Sequence, residues 1–156
     1  MTAIETRIRP AVAEDQKLIR AVIRQARLNP LGLHWRSFVI AEDLMRDFLG
    51  CAQIKSHKDG SRELASLYVK PEHRGRGIGA LLIRYLQGQE RSSLWLTCRS
   101  GLVPLYERFG FLEICDATVM PLYFRRVWQL FHAFSRWSPQ WEALAVMWWD
   151  ASGVKE

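Results

Sequence analysis

Leu64-Ala65-Ser66-Leu67-Tyr68-Val69-Lys70-Pro71-Glu72-His73-Arg74-Gly75-Arg76-Gly77-Ile78-Gly79-Ala80-Leu81-Leu82-Ile83-Arg84-Tyr85 is the stretch that decides the fold. It reads as three parts. Alternating apolar positions up to Val69 predict a strand, and Pro71 stops it because proline cannot donate to a sheet ladder. Three glycines in five residues follow, flanked by Arg74 and Arg76. Then Ile78, Leu81, Leu82 and Tyr85 fall at helical spacing. A strand, a glycine-rich turn and a helix start gather free backbone N–H groups at the positive end of a helix dipole. Glycine lets main chain approach a ligand closely, and the arginines add charge. The chemistry is that of an anion site, and a diphosphate suits it.

Three readings compete for this turn. A plain turn needs neither three glycines nor an arginine pair. The segment GRGIGA satisfies the dinucleotide pattern G-x-G-x-x-A, but that fingerprint wants an acidic residue at the end of the next strand. Here the next strand ends Thr97-Cys98-Arg99, and at least three strands precede the turn. A P-loop is excluded because no G-K-[ST] follows. The third reading rests on Val69, Pro71, Arg74, Gly75, Gly77 and Gly79, which together resemble the acetyl-CoA signature of the GNAT acetyltransferases, Val-x-Pro-x-x-Arg-Gly-x-Gly-x-Gly/Ala.

That resemblance implies an α/β fold: a mixed sheet of about seven strands with flanking helices. It places acetyl-CoA in the splay between the fourth and fifth strands. The contacts it implies are Leu67, Tyr68 and Val69 for the thioester and pantetheine, and Arg74, Gly75, Arg76, Gly77, Ile78, Gly79 and Ala80 for the diphosphate. Tyr106, in Leu105-Tyr106-Glu107-Arg108-Phe109-Gly110-Phe111, resembles the family's L-Y-x-x-x-G-F segment, which implies a proton donor for the leaving thiolate. A phenol can serve that role without prior charging. Arg99 stands where the family often has asparagine, and its guanidinium is a candidate contact to a CoA phosphate.

Glu63 lies six residues before Val69, so period-2 alternation predicts Glu63, Ala65, Leu67 and Val69 on one face. The position resembles the base of some lysine-acetylating members. A solvated glutamate just after a hairpin turn is the alternative. The need for a base depends on the acceptor. At pH 7 an α-amine of pKa near ~8 is roughly a tenth neutral, whereas a lysine near ~10.4 is neutral about once in 2,500. Either Glu63 or a water therefore takes the proton.

The 156 residues carry a net charge of +6 and are 49% apolar, which suits one domain with a sizeable core. We expect a single domain over residues 1–156, with a helical insertion at 117–141. No run of 18 apolar residues predicts a membrane span, and the N-terminus lacks a signal-peptide core. No basic run supports nucleic-acid binding. Cys51, Cys98 and Cys115 are read as buried reduced thiols of a cytoplasmic protein, with no disulfide framework and no metal site. His34 and His73 are single histidines without sequence partners, His73 being read as a surface residue.

Along the chain, strands are predicted at Ile4–Arg9, Trp35–Ala41, Phe48–Lys55, Arg62–Lys70, Leu94–Cys98 and Phe111–Cys115. Asp59-Gly60 is a hairpin signal. Helices are predicted at Asp15–Arg27, from the glycines to about Gln87 with Gly88 as C′, and at Leu102–Phe109. Pro121 to Trp137 is read as an aromatic-rich helix broken by Ser138-Pro139. Periodicity leaves Glu142 to Trp149 open between helix and strand; the resemblance favours a last strand with Leu144, Val146 and Trp148 on one face. Ala151 to Glu156 are read as frayed. In GNAT-like proteins the segment before the last strand borders the acceptor pocket, so Tyr123, Phe124, Trp128 and Phe131 are candidates to shape acceptor entry or a homodimer contact.

The function implied is transfer of an acetyl group from acetyl-CoA to a primary amine (a protein N-terminus, lysine or small amine) by direct attack in a ternary complex. The rivals are a non-catalytic acyl-CoA-binding or sensor module and a dinucleotide-binding domain.

Overall fold

A computed structural model describes residues 4–137 and 143–154. The strands are β1 (Arg7–Pro10), β2 (Phe38–Glu42), β3 (Phe48–Ser56), β4 (Arg62–Val69), β5 (Leu94–Arg99), β6 (Leu112–Ile114) and β7 (Leu144–Trp149). The helices are α1 (Gln16–Gln25), α2 (Ile78–Gln89), α3 (Val103–Glu107) and α4 (Leu122–Ser135). The seven strands form one mixed sheet in the order β1-β2-β3-β4-β5-β7-β6. β4 and β5 are parallel, paired at Arg62 with Leu94 and at Glu63 with Trp95. By contact density the chain divides into two compact units, Met1–Lys55 with Leu64–Gln89 and Ser56–Glu63 with Glu90–Glu156.

In the first unit, every residue of β2 is buried, which requires cover on both faces of the strand. Ile19, Val22 and Ile23 of α1 pack with Phe38, Ile40, Cys51 and Tyr68. α2 lies against β1 and β2 and buries Ile78, Leu82, Ile83 and Leu86. Arg9 ties these pieces together, donating to Asp15 at 2.7 and 3.1 Å and to Glu42 at 2.8 Å. α1 closes on Arg27, which takes the left-handed conformation while Leu28 N–H donates back to Ile23. Gly50 is fixed by proximity: a Cβ there would sit 2.4 Å from the Tyr68 carbonyl oxygen.

In the second unit, β7 pairs with β5 from Trp149–Leu94 to Leu144–Arg99 and with β6 on its other edge. Met120, Phe124 and Val146 form a core to which Trp95, Tyr123 and Trp128 add. Asp59 caps α4 by accepting from Tyr123 N–H at 2.9 Å.

Several expectations are corrected. β4 is not evenly alternating: Ser66 has φ +56°, so Glu63 and Ala65 do not share a regular face with Leu67 and Val69. Gly88 lies inside α2, because packing of Leu82, Ile83 and Leu86 carries the helix past it. Trp35–Ser37 is a 3-10 turn and β2 begins at Phe38. β7 is a regular strand, so Leu144, Val146 and Trp148 share one face as expected, and burial of Ala145, Val146 and Met147 in succession means that its other face is covered as well. Ala151–Val154, expected frayed, forms a 3-10 turn in which Asp150 accepts from Ser152 N–H and hydroxyl, and residues 155–156 of that expected frayed end lie outside the described residues. Cys51 and Cys98 are buried free thiols, but Cys115 is exposed. The expected break at Ser138-Pro139, and the start of the last segment at Glu142, lie outside the described residues.

Candidate active site

The donor end is built in the first unit. Ser66 interrupts β4 and its hydroxyl accepts from Gln53 Nε2 at 2.7 Å; Gln53 is fully buried and its Oε1 has no partner. A left-handed residue inside a strand breaks the ladder, which leaves main-chain groups near it free for other partners. Leu67, Tyr68 and Val69 follow directly. The Tyr68 ring belongs to the core, stacked on Phe48 with centroids 6.3 Å apart, so Tyr68 has only main chain to offer a ligand.

Beyond β4, Pro71–His73 forms one 3-10 turn. The Arg74 Nε–H donates to the Val69 carbonyl at 3.0 Å, folding the arginine back along its own turn. Gly75 and Gly77 have φ +77° and +82°, a conformation that side chains resist. Ile78 is buried and anchors the start of α2, and the first helical bond of that start is Leu81 N–H to Gly77 O at 3.0 Å. The N–H groups of Ile78, Gly79 and Ala80 therefore have no acceptor within the helix. Arg74, Arg76, Gly75 and Gly77 are all exposed. This arrangement can hold a multiply charged anion through main-chain donors and two guanidinium groups. His73, expected on the surface, is partly buried, with Nδ1 shut off and unpartnered.

The second unit carries the titratable groups. Asp59 Oδ1 accepts from the Ser61 N–H at 2.9 Å and from its hydroxyl at 2.6 Å, so the hairpin turn is tight. Glu63 is 6% exposed, which excludes the solvated glutamate. Its Oε2 meets His57 Nε2 at 2.7 Å. The His57 ring is stacked on Tyr123 with centroids 3.6 Å apart and meets Phe124 edge-on at 5.8 Å. Burial, then the Glu63 charge, raises the Tyr123 pKa. Burial works against the Asp59 carboxylate, but bonds from Ser61 and from Tyr123 N–H hold its pKa below the ordinary value. Beside Glu63, Arg62 pairs with Glu90 through two bonds.

Tyr106 is set by the turn that ends α3. Phe109 and Phe111 N–H both donate to its carbonyl, and Gly110 has φ +83°. Its ring is 8% exposed and packs edge-on against Phe111 at 6.0 Å. Burial, then the nearby Cys98, pushes its pKa up to about 12. Arg99 is exposed at the end of β5, opposite Leu144. Phe124 is fully buried against Trp95, so it is a core residue and cannot line an opening. Phe131 instead lines an apolar groove of about 650 Å³ with Leu130, Phe134, Trp137 and Leu144.

Sequence reasoning missed His57 and Gln53. His57 had a signal. With His57 N–H donating to Ser61 O, Glu63 becomes its diagonal cross-strand neighbour, within reach of long side chains. Gln53 had none, since nothing local marks Ser66 as left-handed. Among the described residues no group of His, Cys, Asp and Glu could hold a metal, and no helix is long and apolar enough to cross a membrane.

A family model described as the acetyltransferase (GNAT) domain matches residues 34–113, half of the chain. No curated protein matches. Among solved structures, N-acetylglutamate synthase from Neisseria gonorrhoeae, complexed with coenzyme A and L-arginine, is similar at 21% identity and TM-score 0.72. The match covers 96% of this chain and 34% of that one, so the chain spans about a third of that protein's length. Rv2747 from Mycobacterium tuberculosis, in a complex that includes CoA, matches at 20% identity and TM-score 0.69 over 92% and 98% of the two chains. The ribosomal-protein-S18-alanine N-acetyltransferase from Escherichia coli matches at 15% identity and TM-score 0.62 over 94% of each chain. At these identities the likeness is one of fold.

Proposed function

Since the chain belongs to the GNAT acetyltransferase family, we propose that it moves an acetyl group from acetyl-CoA to a primary amine by direct attack in a ternary complex. The observation that carries this reading is the donor cradle: an interrupted strand, two left-handed glycines and the open N-terminus of α2, with Arg74 and Arg76 beside it. Leu67 to Val69 hold the thioester and pantetheine by main chain, and the turn from Arg74 to Ala80 holds the diphosphate. Arg99 adds a phosphate contact.

The acceptor arrives as an ammonium and loses a proton to Glu63 or to a water that Glu63 orders. The neutral nitrogen then attacks the thioester carbonyl. A C–N bond forms, the C–S bond breaks, and the electron pair leaves on sulfur. Tyr106 assists that departure. Burial raises the phenol's pKa to about 12, so it gives up its proton reluctantly. The phenol therefore serves as a hydrogen-bond donor to the thiolate, which takes its proton from solvent. The acceptor is a protein N-terminus, a lysine or a small amine, and its charge state decides how much Glu63 matters.

Release of CoA thiol from acetyl-CoA, followed across a panel of α-amino peptides, lysine peptides and small amines, tests the proposal. Turnover with at least one amine is expected. Binding of acetyl-CoA without turnover on any of them would favour a non-catalytic acyl-CoA-binding module. Glu63→Gln keeps the bond to His57 and removes the charge. Acetylation of a lysine peptide at pH 7 should fall about 10²-fold or more, with a smaller loss on an α-amine.

A further inference from the structure

We propose that His57 is the atom-level proton acceptor of the reaction, with Glu63 as the carboxylate that orients it. The proposal rests on the acetyl-transfer reading above and refines which residue of the second unit takes the acceptor's proton.

An imidazole has two ring nitrogens, so one can take a proton while the other stays bonded to a carboxylate, a division that Glu63 by itself cannot make. The two groups are joined at 2.7 Å, His57 Nε2 to Glu63 Oε2, and both side chains are largely buried, at 15% and 8% exposure. An ionised carboxylate is an acceptor only, so it selects the imidazole tautomer with hydrogen on Nε2. The lone pair is then on Nδ1, which has no hydrogen-bond partner among the described residues. This division of labour, one ring nitrogen held by a carboxylate and the other left as the base, is general wherever an imidazole must accept a proton and keep its orientation.

The ring is held as well as oriented. Tyr123 stacks on one face at 3.6 Å between centroids, and Phe124 meets it edge-on. Tyr123 is fixed in turn by its own N–H, which donates to Asp59. His57 also forms part of the wall of a pocket of about 220 Å³, with Lys58, Asp59, Tyr123 and Arg126. The charged and titratable groups around it are therefore Glu63 on β4, Lys58 and Asp59 in the turn, and Tyr123 and Arg126 on α4. In the step itself, the ammonium N–H bond breaks, directly or through one water, and the proton goes to Nδ1. The imidazolium keeps its Nε2–H on Glu63, whose negative charge stabilises it. The proton leaves to solvent after transfer.

Two measurements test this. First, histidine ¹⁵N spectra of the free protein should show neutral His57 with hydrogen on Nε2. A neutral form with hydrogen on Nδ1 would overturn the proposal, and this readout needs no acceptor. Second, acetylation of a blocked peptide containing one lysine, and of a peptide with a free α-amine, is followed against pH for wild type, His57→Gln, His57→Phe and His57→Ala. His57→Phe keeps a ring on Tyr123, and His57→Gln keeps a donor to Glu63. Both should lose about 10²-fold or more in kcat/KM on the lysine peptide and lose the ionisation on the acid limb. Acetyl-CoA binding should stay within twofold. Added imidazole should restore His57→Ala at least tenfold. Wild-type rates and an unchanged pH profile in His57→Phe would overturn the proposal; if Glu63→Gln were still impaired, Glu63 would be the base and the acetyl-transfer reading would survive. No turnover of either peptide by wild type would instead count against those acceptors, with the spectra still deciding His57.

Discussion

At the scale of single residues, burial changes what Tyr106 can do. A phenol whose pKa is pushed up to about 12 stays protonated across the working range and gives up its proton reluctantly. In the proposed reaction its contribution is then a hydrogen bond to departing sulfur. Tyr106→Phe removes only that bond, so kcat should fall about 10²-fold while calorimetric affinity for acetyl-CoA holds. An unchanged kcat would remove Tyr106 from the mechanism. Asp15 offers a residue-scale test of stability. Its bond from Arg9, opposed by burial, holds its pKa below the ordinary value of ~3.9. A carboxylate depressed in the folded state stabilises the fold above its unfolded pKa, and that stabilisation is lost as pH falls through the folded value. Urea midpoints should therefore be insensitive to Asp15 ionisation between about pH 5 and 7 and decline below about pH 4. Asp15→Asn should be less stable at pH 7 and show a shallower decline in acid.

At the scale of elements, glycines separate into those that are needed and those that are not. Gly50 faces the main chain of β4, where a Cβ would meet the Tyr68 oxygen at 2.4 Å and the Val69 Cα at 3.2 Å. Neither atom can swing away as a side-chain tip would. Gly50→Ala should cost about 2 kcal/mol or more, seen as a melting temperature lower by about 4–8 °C. It should also weaken acetyl-CoA binding, because the strand that must shift carries Leu67 to Val69. Gly88 sits within α2, exposed and with open space around it. Gly88→Ala should raise stability by about 0.5 kcal/mol. This contrast also shows what was readable. Proline and glycine punctuate the chain strongly, so the strand, turn and helix from Leu64 to Tyr85 could be seen in advance. The extension of α2 past Gly88 could not, since tertiary packing overrode a local signal. The His57–Glu63 pair needed the hairpin register, and the ring stacked on it comes from Tyr123, far along the chain. No local pattern encodes such a contact.

At the scale of the whole molecule, the net charge of +6 and the exposed Arg74 and Arg76 favour a polyanionic ligand. Raising salt from about 0.05 to 0.5 M should weaken acetyl-CoA binding roughly tenfold, through screening of the phosphates. An acetylated pantetheine lacking phosphates should show little salt dependence. Equal salt responses for the two ligands would mean that the arginines do not touch phosphate. Architecture on this scale was legible because strand alternation and the donor signature agreed. The positions of individual candidate groups were less so, because a strand with one left-handed residue does not alternate.

That residue has a further consequence. Ser66 makes β4 a strand that keeps count. A slip by one position would hand the left-handed conformation to Ala65 or Leu67, at a steric cost of roughly 1–2 kcal/mol. It would also carry the hydroxyl away from Gln53 and the Lys70 N–H away from the Leu49 carbonyl, to which it donates at 2.8 Å. Three separate penalties fall on the same displacement, so β4 works like a toothed key that seats at one depth. Deleting a single residue between Ser66 and Val69 should therefore be far more damaging than lengthening the turn at Lys58 to Gly60, where added residues leave the teeth where they are.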